Sequence, residues 1–566
     1  MDLFRSLPVL SISAVSLTTA YLGSLGKVPF WPQWGVLTSF VALWSLQFSV
    51  WLIWVLWLYN IFFSPFLNLP VPEGKHWLYG HFPIIKKFPT GHPMIEWVNT
   101  IPNDGLIRYY GIFNQERLLP TTPKALTELL TTKNYDFQKP SSWRWIIGRM
   151  LGIGLLLAEG DEHRVQRRNL NPAFHFRHVK NLYPIFWAKS KQGVETLTKK
   201  ILEESKKASE SPEAQEKGDS RTAVVEVGNW ASRIALDIIG VTGLGRDFGA
   251  IADPGNELNQ TYQNLFSPSK QNRVLGLLNL IFPARLVQRL PVKRNADVFE
   301  AARYIRAVCH DLIRTKKEKH ERKESLGNDI LSTAIESGAF TDENLVDQLM
   351  TFLAAGHETT ASAMTWAIYL LSKNPQIQSR LRAEIRSRLP SLEDTSSPEI
   401  TSVDIDSMTY LNAVCSEVLR YFPPAPVTIR VAAVDTSIQG QHIPKGTQFM
   451  IIPWAINKSE ALWGGDAREF NPDRWVPKDE TDKSAASGGA TSNYAFLTFL
   501  HGPRSCIGQQ FAKAEFACML ATWVGRFEFE LENKEEEDEE KLGIKSTLTA
   551  RPERGMFVRM RVLEGW

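Results

Sequence analysis

Late in the chain, a cysteine stands in a segment built to turn: Phe499-Leu-His-Gly502-Pro-Arg504-Ser-Cys506-Ile-Gly508. The residues that follow, Gln509 to Ala517, carry apolar side chains at helical spacing, so Cys506 falls at a helix N-terminus. There the helix dipole and inward-pointing backbone amides favour a thiolate. Gly502 and Gly508 allow a tight bend and the close approach of something flat. Arg504, two positions earlier, is a fixed cation suited to a carboxylate. Most lone cysteines ahead of a helix are inert small hydrophobes, so the thiol alone decides nothing.

Two further sets of residues could do chemistry with it. Glu417-Val-Leu-Arg420 puts opposite charges on one helix face, a weak signal by itself. Ala355-Gly356-His357-Glu358-Thr359-Thr360 lies midway along the helical pattern Thr341–Ser372 and is poor helix chemistry. Thr359 shares a face with Ala355 and Gly356, and a threonine hydroxyl competes for the carbonyl four residues back. On these residues alone the run reads either as a small pocket with one hydroxyl inside or as a helix packing tightly through Ala and Gly. A zinc site at His357-Glu358 is rejected, because the position that would carry the second histidine is Ala361.

The ten-residue run at Cys506 resembles the haem-binding loop of the cytochrome P-450 superfamily, Phe-x-x-Gly-x-Arg-x-Cys-x-Gly, at every specified position. Glu417/Arg420 resembles the family's Glu-x-x-Arg pair, and Phe470-Asn-Pro472-Asp-Arg474-Trp475 resembles the segment whose arginine joins it. The resemblance implies that Cys506 is the axial thiolate of haem b and that Glu417, Arg420 and Arg474 form a buried structural charge network. It makes Ala355-Gly356 an oxygen-binding groove, with Thr359 and Glu358 managing protons. It assigns cofactor contacts to Phe499, Gly508, Ala355, Gly356 and Arg504, and propionate contacts to Arg430, Arg167 and His163. His163 stands where the family usually has tryptophan. The implied reaction inserts one atom of O2 into a lipophilic small molecule, by hydroxylation or epoxidation. The inserted loops and His163 resemble fungal members of secondary-metabolite biosynthesis. No Gly-x-Gly-x-x-Gly follows a strand, so NADPH and flavins would act through a separate NADPH–cytochrome reductase on the same membrane. Arg164, Arg168 and Lys513 are candidates for its docking face, or plain solvated charges. The rival readings are a haem-thiolate isomerase or dehydratase acting on a peroxide, and a haem-binding sensor.

The elements that must position these residues are mostly helical. Amphipathic patterns predict helices at Asp161–Asn169, Ala188–Glu204, Asn295–Lys319, Thr341–Ser372, Gln376–Leu389 and Met408–Tyr421. Strands are predicted at Leu106–Tyr110, Val431–Ile438, Gln448–Ile452 and Met556–Val562. The expected class is mainly α with small β-sheets (α+β), a cytochrome P-450 fold by resemblance. Polar segments Ser205–Ser220, Pro477–Asn493 and Asn533–Lys541 read as solvated loops.

No charged residue occurs between Lys27 and Glu73, and the stretch from about 36 to 58 is long enough to cross a bilayer. An earlier stretch, Ser6–Gly26, is a weaker span or a cleaved signal peptide. The expected organisation is a membrane anchor over 1–64 with one or two spans, a proline-rich hinge over 65–75 and a catalytic domain over 76–566. Basic residues after the span fit a cytosolic body, on the endoplasmic reticulum by resemblance. The 566 residues carry a net charge of only +3, which argues against nucleic-acid binding. Four scattered cysteines without a Cys-x-x-Cys fit a reducing compartment. Apolar segments Ile146–Leu157, Phe352 with Ala355, Pro424–Thr428 and Leu548–Thr549 are the expected substrate pocket.

Overall fold

A computed structural model describes residues 9–87, 91–209, 221–266, 270–327, 329–394, 396, 398–479, 481–546 and 548–566. The helices used below are α1 (Val9–Ser24), α2 (Val36–Ile53), α3 (Gly160–Leu170), α4 (Tyr183–Ser209), α5 (Val227–Leu244), α6 (Lys293–Glu321), α7 (Asp342–Lys373), α8 (Pro375–Arg388), α9 (Thr409–Tyr421) and α10 (Gln509–Arg526). The strands are β1 (Leu106–Tyr110), β2 (Glu116–Pro120), β3 (Phe137–Gln138), β4 (Thr222–Glu226), β5 (Thr428–Ala432), β6 (Thr436–Ile438), β7 (Gln441–Ile443), β8 (Gln448–Ile451), β9 (Phe527–Leu531), β10 (Ile544–Ser546), β11 (Ala550–Pro552) and β12 (Phe557–Val562). Helices dominate and the sheets are small, which is the expected class.

α7 is the central rod. Thr341 caps it by accepting a hydrogen bond from the Asn344 amide, Asp342 and Glu343 sit in its positive first turn, and Asn374-Pro375 ends it. α5 lies against it and was not foreseen as a helix. It is buried almost all round, with Gly228, Asn229 and Val241 its less buried residues. Its N-cap is Glu226, whose carboxylate accepts from the amides of Gly228 and Asn229. α10 packs on α4, α7 and α8, closing the core.

A five-stranded sheet in the order β1-β2-β8-β5-β3 stands beside the helical body. β2 and β8 pair in parallel and the other neighbours are antiparallel. The β3–β5 register sets Gln138 opposite Val431, so Lys139 and Arg430 come from adjacent strands. The predicted strand Val431–Ile438 is two strands, β5 and β6. Between them the chain turns, the Ala433 amide donates to Asp136, and the Asp435 carboxylate accepts from the Lys445 amide at 2.7 Å. A second sheet, β4-β12-β9, and the hairpins β6–β7 and β10–β11 complete the body.

At the N-terminal end, α2 continues as a π-helix over Trp54–Phe63. Val36–Phe63 is long and apolar enough to cross a membrane. α1 is too short for that and packs along α2, where Trp44 and Gln47 donate hydrogen bonds to Ser13 and Ser16. The end of the long helix and the proline-rich stretch after it are bonded to the body. Asn60 donates to the Asn114 carbonyl and receives the Arg108 guanidinium at its own, while Ser64 donates to Glu116. Arg108 and His81 bond the carbonyls of Pro70 and Pro72. These buried polar contacts tie the end of the long helix to β1 and β2.

Two of the polar loops also do more than solvate the surface. In Pro477–Asn493, Gly488 (φ +62°) lies flat on Trp475, where any Cβ would meet the indole at 2.9 Å. In Asn533–Lys541, Glu539 accepts from the Tyr421 hydroxyl and pairs with Lys373 at the end of α7. Residues 210–220 of the first loop lie outside the described residues.

Candidate active site

The turn ahead of α10 is held by its own backbone. The Cys506 amide donates to the Phe499 carbonyl at 2.8 Å, and Leu500 takes a left-handed φ of 55°. Gly502 (φ +77°) rests on the Leu130 carbonyl, and a Cβ there would overlap that oxygen. Gly508 carries no such requirement: its φ is −89° and its nearest neighbour is an ordinary contact with Phe174 at 3.7 Å. Cys506 keeps accessible surface, yet protein surrounds it closely enough for burial to push its thiol up. The Gly508 amide and the Arg167 guanidinium act in the opposite direction.

α7 contributes the second wall. From Gln348 to Leu371 every residue is buried except Ala355, Gly356 and Thr359, which share one side of the helix. The Thr359 hydroxyl donates to the Ala355 carbonyl at 2.8 Å, the back-bond expected from the sequence. Gly356 has a packing reason as well: a Cβ there would meet Ile239 of α5 at 2.8 Å. The close-packing reading of the Ala-Gly run thus applies at Gly356, and the side it shares with Ala355 and Thr359 is the less buried one.

Glu358 is buried and is held by partners that sequence spacing does not suggest. Thr549 donates to its Oε1 at 3.0 Å, and Arg551 forms an ion pair with the same carboxylate. Both residues belong to the β10–β11 hairpin, pinned on α7 where Ser362 and Trp366 donate to the Ala550 carbonyl. Arg551 is about one-third exposed and lines a cavity of about 250 Å³ that opens beside α5. Thr549, expected in a substrate pocket, lines the same cavity as well as holding Glu358.

On the other side of the Cys506 loop, cations gather with little to neutralise them. Arg504 donates to the Phe137 carbonyl at 3.0 Å and pairs with Glu159. Arg430 is 1% exposed, bonds only Thr428 and the Ile429 carbonyl, and leaves its Nε without a partner. Burial and the nearby Arg504 lower it to about 10. Lys139, not singled out from the sequence, is lowered to about 7 by burial, with Arg430 and Arg504 adding to the effect. His163, 3.4 Å from the Tyr135 hydroxyl, is lowered to about 4 by burial and by Arg504, Lys139, Arg167 and Arg430, so it is neutral at pH 7. Arg167 donates to the Ser505 carbonyl at 2.6 Å and to Asn171 at 3.0 Å, bracing the Cys506 loop. Among the described residues, Glu159 is the one carboxylate acting on both Lys139 and Arg430. Buried cations in excess call for an anionic partner. A flat group with two carboxylates and an iron seeking a thiolate fits this donor set.

The Glu417 network assembles as a unit at the other end of the loop. Arg420 donates to both carboxylate oxygens of Glu417 at 2.7 and 2.8 Å, and Arg474 donates to one at 3.2 Å. The Asn471 amide and the Trp475 indole take further bonds to it at 2.8 and 2.9 Å. Arg420 also donates to the carbonyls of Asn457, Ala467 and Glu469. Asn457 then receives the Leu497 amide, two residues before Phe499, which links the network to the loop. Trp475, Asn457 and Asn471 have no spacing signal, because their partners lie on other elements.

The sequence model of the family described as Cytochrome P450 matches residues 70–557. Cytochrome P450 monooxygenase ALT8 of Alternaria alternata is 45% identical over 558 residues, covering 92% of this chain and 93% of the relative. Cytochrome P450 monooxygenase sphH of Aspergillus fumigatus is 44% identical, over 96% of this chain and 98% of its own. Cytochrome P450 monooxygenase FUM15 of Gibberella moniliformis is 43% identical over 89% of each.

Proposed function

The chain belongs to the cytochrome P450 family and is one of its monooxygenases, and from that premise we propose that it inserts one oxygen atom into a lipophilic fungal secondary metabolite by hydroxylation or epoxidation. The observation that carries this reading is the packing of α10, which begins just after the Cys506 turn, against α7, whose Ala355/Gly356/Thr359 side is the less buried one between Gln348 and Leu371.

Bound haem b, ligated through Cys506, supplies an electron-rich iron that activates O2. The side chains around it hold and feed that chemistry. Arg504, Arg430 and Lys139 neutralise the propionates, and His163 adds a hydrogen bond. Arg167 and the Glu417/Arg420/Arg474 network keep the Cys506 turn rigid. Thr359 presents a hydroxyl to the reacting side. Glu358, linked through Arg551 to the cavity beside α5, is the source of protons in a site that otherwise excludes water.

Electrons come from a separate NADPH–cytochrome reductase. Arg164, Arg168 and Arg167 line a basic concavity of about 380 Å³ with Gly502 and Pro503, next to the Cys506 loop, and an acidic partner fits it. Lys513 is a poorer contributor, since it is half-buried near Phe496 and Phe499. The Val36–Phe63 helix anchors the enzyme in the endoplasmic reticulum membrane, with the body in the cytosol.

The test is a spectral binding screen of lipophilic metabolites, followed by turnover with reductase, NADPH and O2 and product analysis. A product carrying one oxygen atom from O2, together with a haem-thiolate absorbance band lost in Cys506→Ala, is expected. NADPH-independent rearrangement of a hydroperoxide would overturn the monooxygenase reading of this site.

A further inference from the structure

α10 begins just after Cys506 and carries one acidic residue in its buried middle, Glu515. Its side chain is fully buried, and its Oε2 lies 2.9 Å from the hydroxyl oxygen of Thr360 on α7. The same hydroxyl lies 3.4 Å from the carbonyl of Gly356, and the second carboxyl oxygen of Glu515 has no hydrogen-bond partner. A hydroxyl has one hydrogen and cannot donate to both neighbours. We infer that Glu515 is a proton-bearing positioning residue: its carboxyl O–H donates to Thr360, which turns the Thr360 hydroxyl to donate to the Gly356 carbonyl in the oxygen-binding turn. This deepens the reading of the site given above and rests on it.

Donor counting and charge agree. No basic side chain pairs with Glu515 among the described residues. A carboxylate buried alone would be left both charged and half-bonded, a cost avoided by keeping its proton. Burial pushes its acid well above the usual carboxylate range, and the Thr360 contact opposes that only as the smaller effect. The titratable groups nearest along α10 supply no cation to reverse it. Cys518 is itself held neutral by burial, and Lys513 interacts with Cys415 of α9. Of the elements packed on α10, α7 presents Thr360 to the carboxyl. α8 sends its arginines 382 and 386 to the carbonyls of Val524 and Gly525, far along α10. α4 presents Tyr183, which donates to Asp406.

The consequence lies in the geometry of one helical turn. The Ala355 carbonyl receives the Thr359 hydroxyl, and with Glu515 protonated the Gly356 carbonyl receives that of Thr360. Both carbonyls of the cleft-lining turn are then engaged, and the turn is tied to the helix that begins at the thiolate. With Glu515 ionised, Thr360 would point to the carboxylate instead and leave the Gly356 carbonyl free to bind water.

Infrared difference spectroscopy on the holoenzyme tests the proton directly. The wild type is expected to show a protonated-carboxyl stretch that is absent in Glu515→Gln and persists at every pH where the protein stays folded. In Thr360→Val the same band shifts as its hydrogen-bond acceptor is lost. No band difference between wild type and Glu515→Gln overturns the inference. The positioning role is read from the fraction of NADPH lost to hydrogen peroxide and from the C–O stretch of the reduced carbon monoxide complex. Thr360→Val and Glu515→Leu are each expected to raise peroxide several-fold, Glu515→Gln less than Glu515→Leu because its amide still donates. The double variant should be no worse than either single one, since both remove one hydrogen bond. If Thr360→Val leaves the peroxide share and the C–O stretch unchanged, the positioning role is lost even where Glu515→Leu fails to fold. Thr359→Ala serves as the control. Unaltered peroxide in that variant would undo the assignment of the groove, whereas the infrared band would stand or fall independently.

Discussion

The carboxylate of Glu358, inside α7, is closed by the guanidinium of Arg551 from the β10–β11 hairpin. The pair joins a buried acid to a side chain that reaches the cavity beside α5. Arg551→Ala strands that acid, and a stranded partner of a buried ion pair costs roughly 3–5 kcal/mol. The loss here falls at the low end because Arg551 is itself partly solvated. A lower melting temperature and less product per NADPH are expected, with Arg551→Lys recovering part of both. A variant that melts and couples like the wild type would remove Arg551 from the proton route.

Thr359→Ala deletes the one hydroxyl that α7 presents beside Ala355. Haem content should stay normal, because no contact of the Cys506 loop is touched. The share of O2 released as hydrogen peroxide should rise. Quantifying peroxide and product against NADPH consumed decides it, and fully coupled product formation would sink the assignment.

Glu417→Ala breaks a hub that joins two arginines, an indole and an amide in the dry interior. Uncompensated, Arg420 remains buried beside carbonyls alone, at a cost of roughly 3–5 kcal/mol. The expected result is a protein that denatures at lower urea and loses haem during purification. Glu417→Gln, which retains hydrogen bonding but not charge, should fall between. Wild-type denaturation midpoints in both variants would show the network to be dispensable.

Lys139 is a buried side chain whose ammonium is held down to about 7 by burial and the neighbouring Arg430 and Arg504, against roughly 10.4 in an unfolded chain. Between those values the unfolded state binds more protons, so the stability of haem-free protein rises with pH across that window. Lys139→Met removes this slope. The melting temperatures of wild type and variant, followed from about pH 7 to pH 10, should converge as pH rises, with the variant more stable at the neutral end. The variant should also lose haem faster to a scavenging globin. Parallel melting curves would mean that Lys139 is not held neutral by this cluster.

Much of the site was legible because its signals are local. The Cys506 turn, the Ala355–Thr360 run and the Glu417/Arg420 pair each lie within one element, where spacing translates directly into a shared face. α7 was located to within a residue at each end for the same reason: its cap, its acidic first turn and the Asn374-Pro375 stop are all short-range. α5 escaped notice because its run Ile238-Ile239-Gly240-Val241-Thr242-Gly243 is made of poor helix formers, which only packing against α7 holds in a helix. The docking of the end of the long helix was not legible, because prolines announce a break in helix, not the Asn60, Arg108 and Glu116 contacts that hold it.

By itself, then, the order of residues determined the Cys506 turn, the long helix with its threonine and the apolar stretch at the N-terminal end. Tertiary structure alone decided that Arg167 braces the Cys506 loop, that Lys139 and Glu159 join Arg430 and Arg504, that Arg551 answers Glu358, and that Thr360 meets Glu515. Each of these partners is brought by an element distant in the chain, and a buried charge or hydroxyl can bond only what the fold carries to it. Whether such a group keeps or loses its proton depends on the surrounding dielectric and charges, which exist only once those elements have packed.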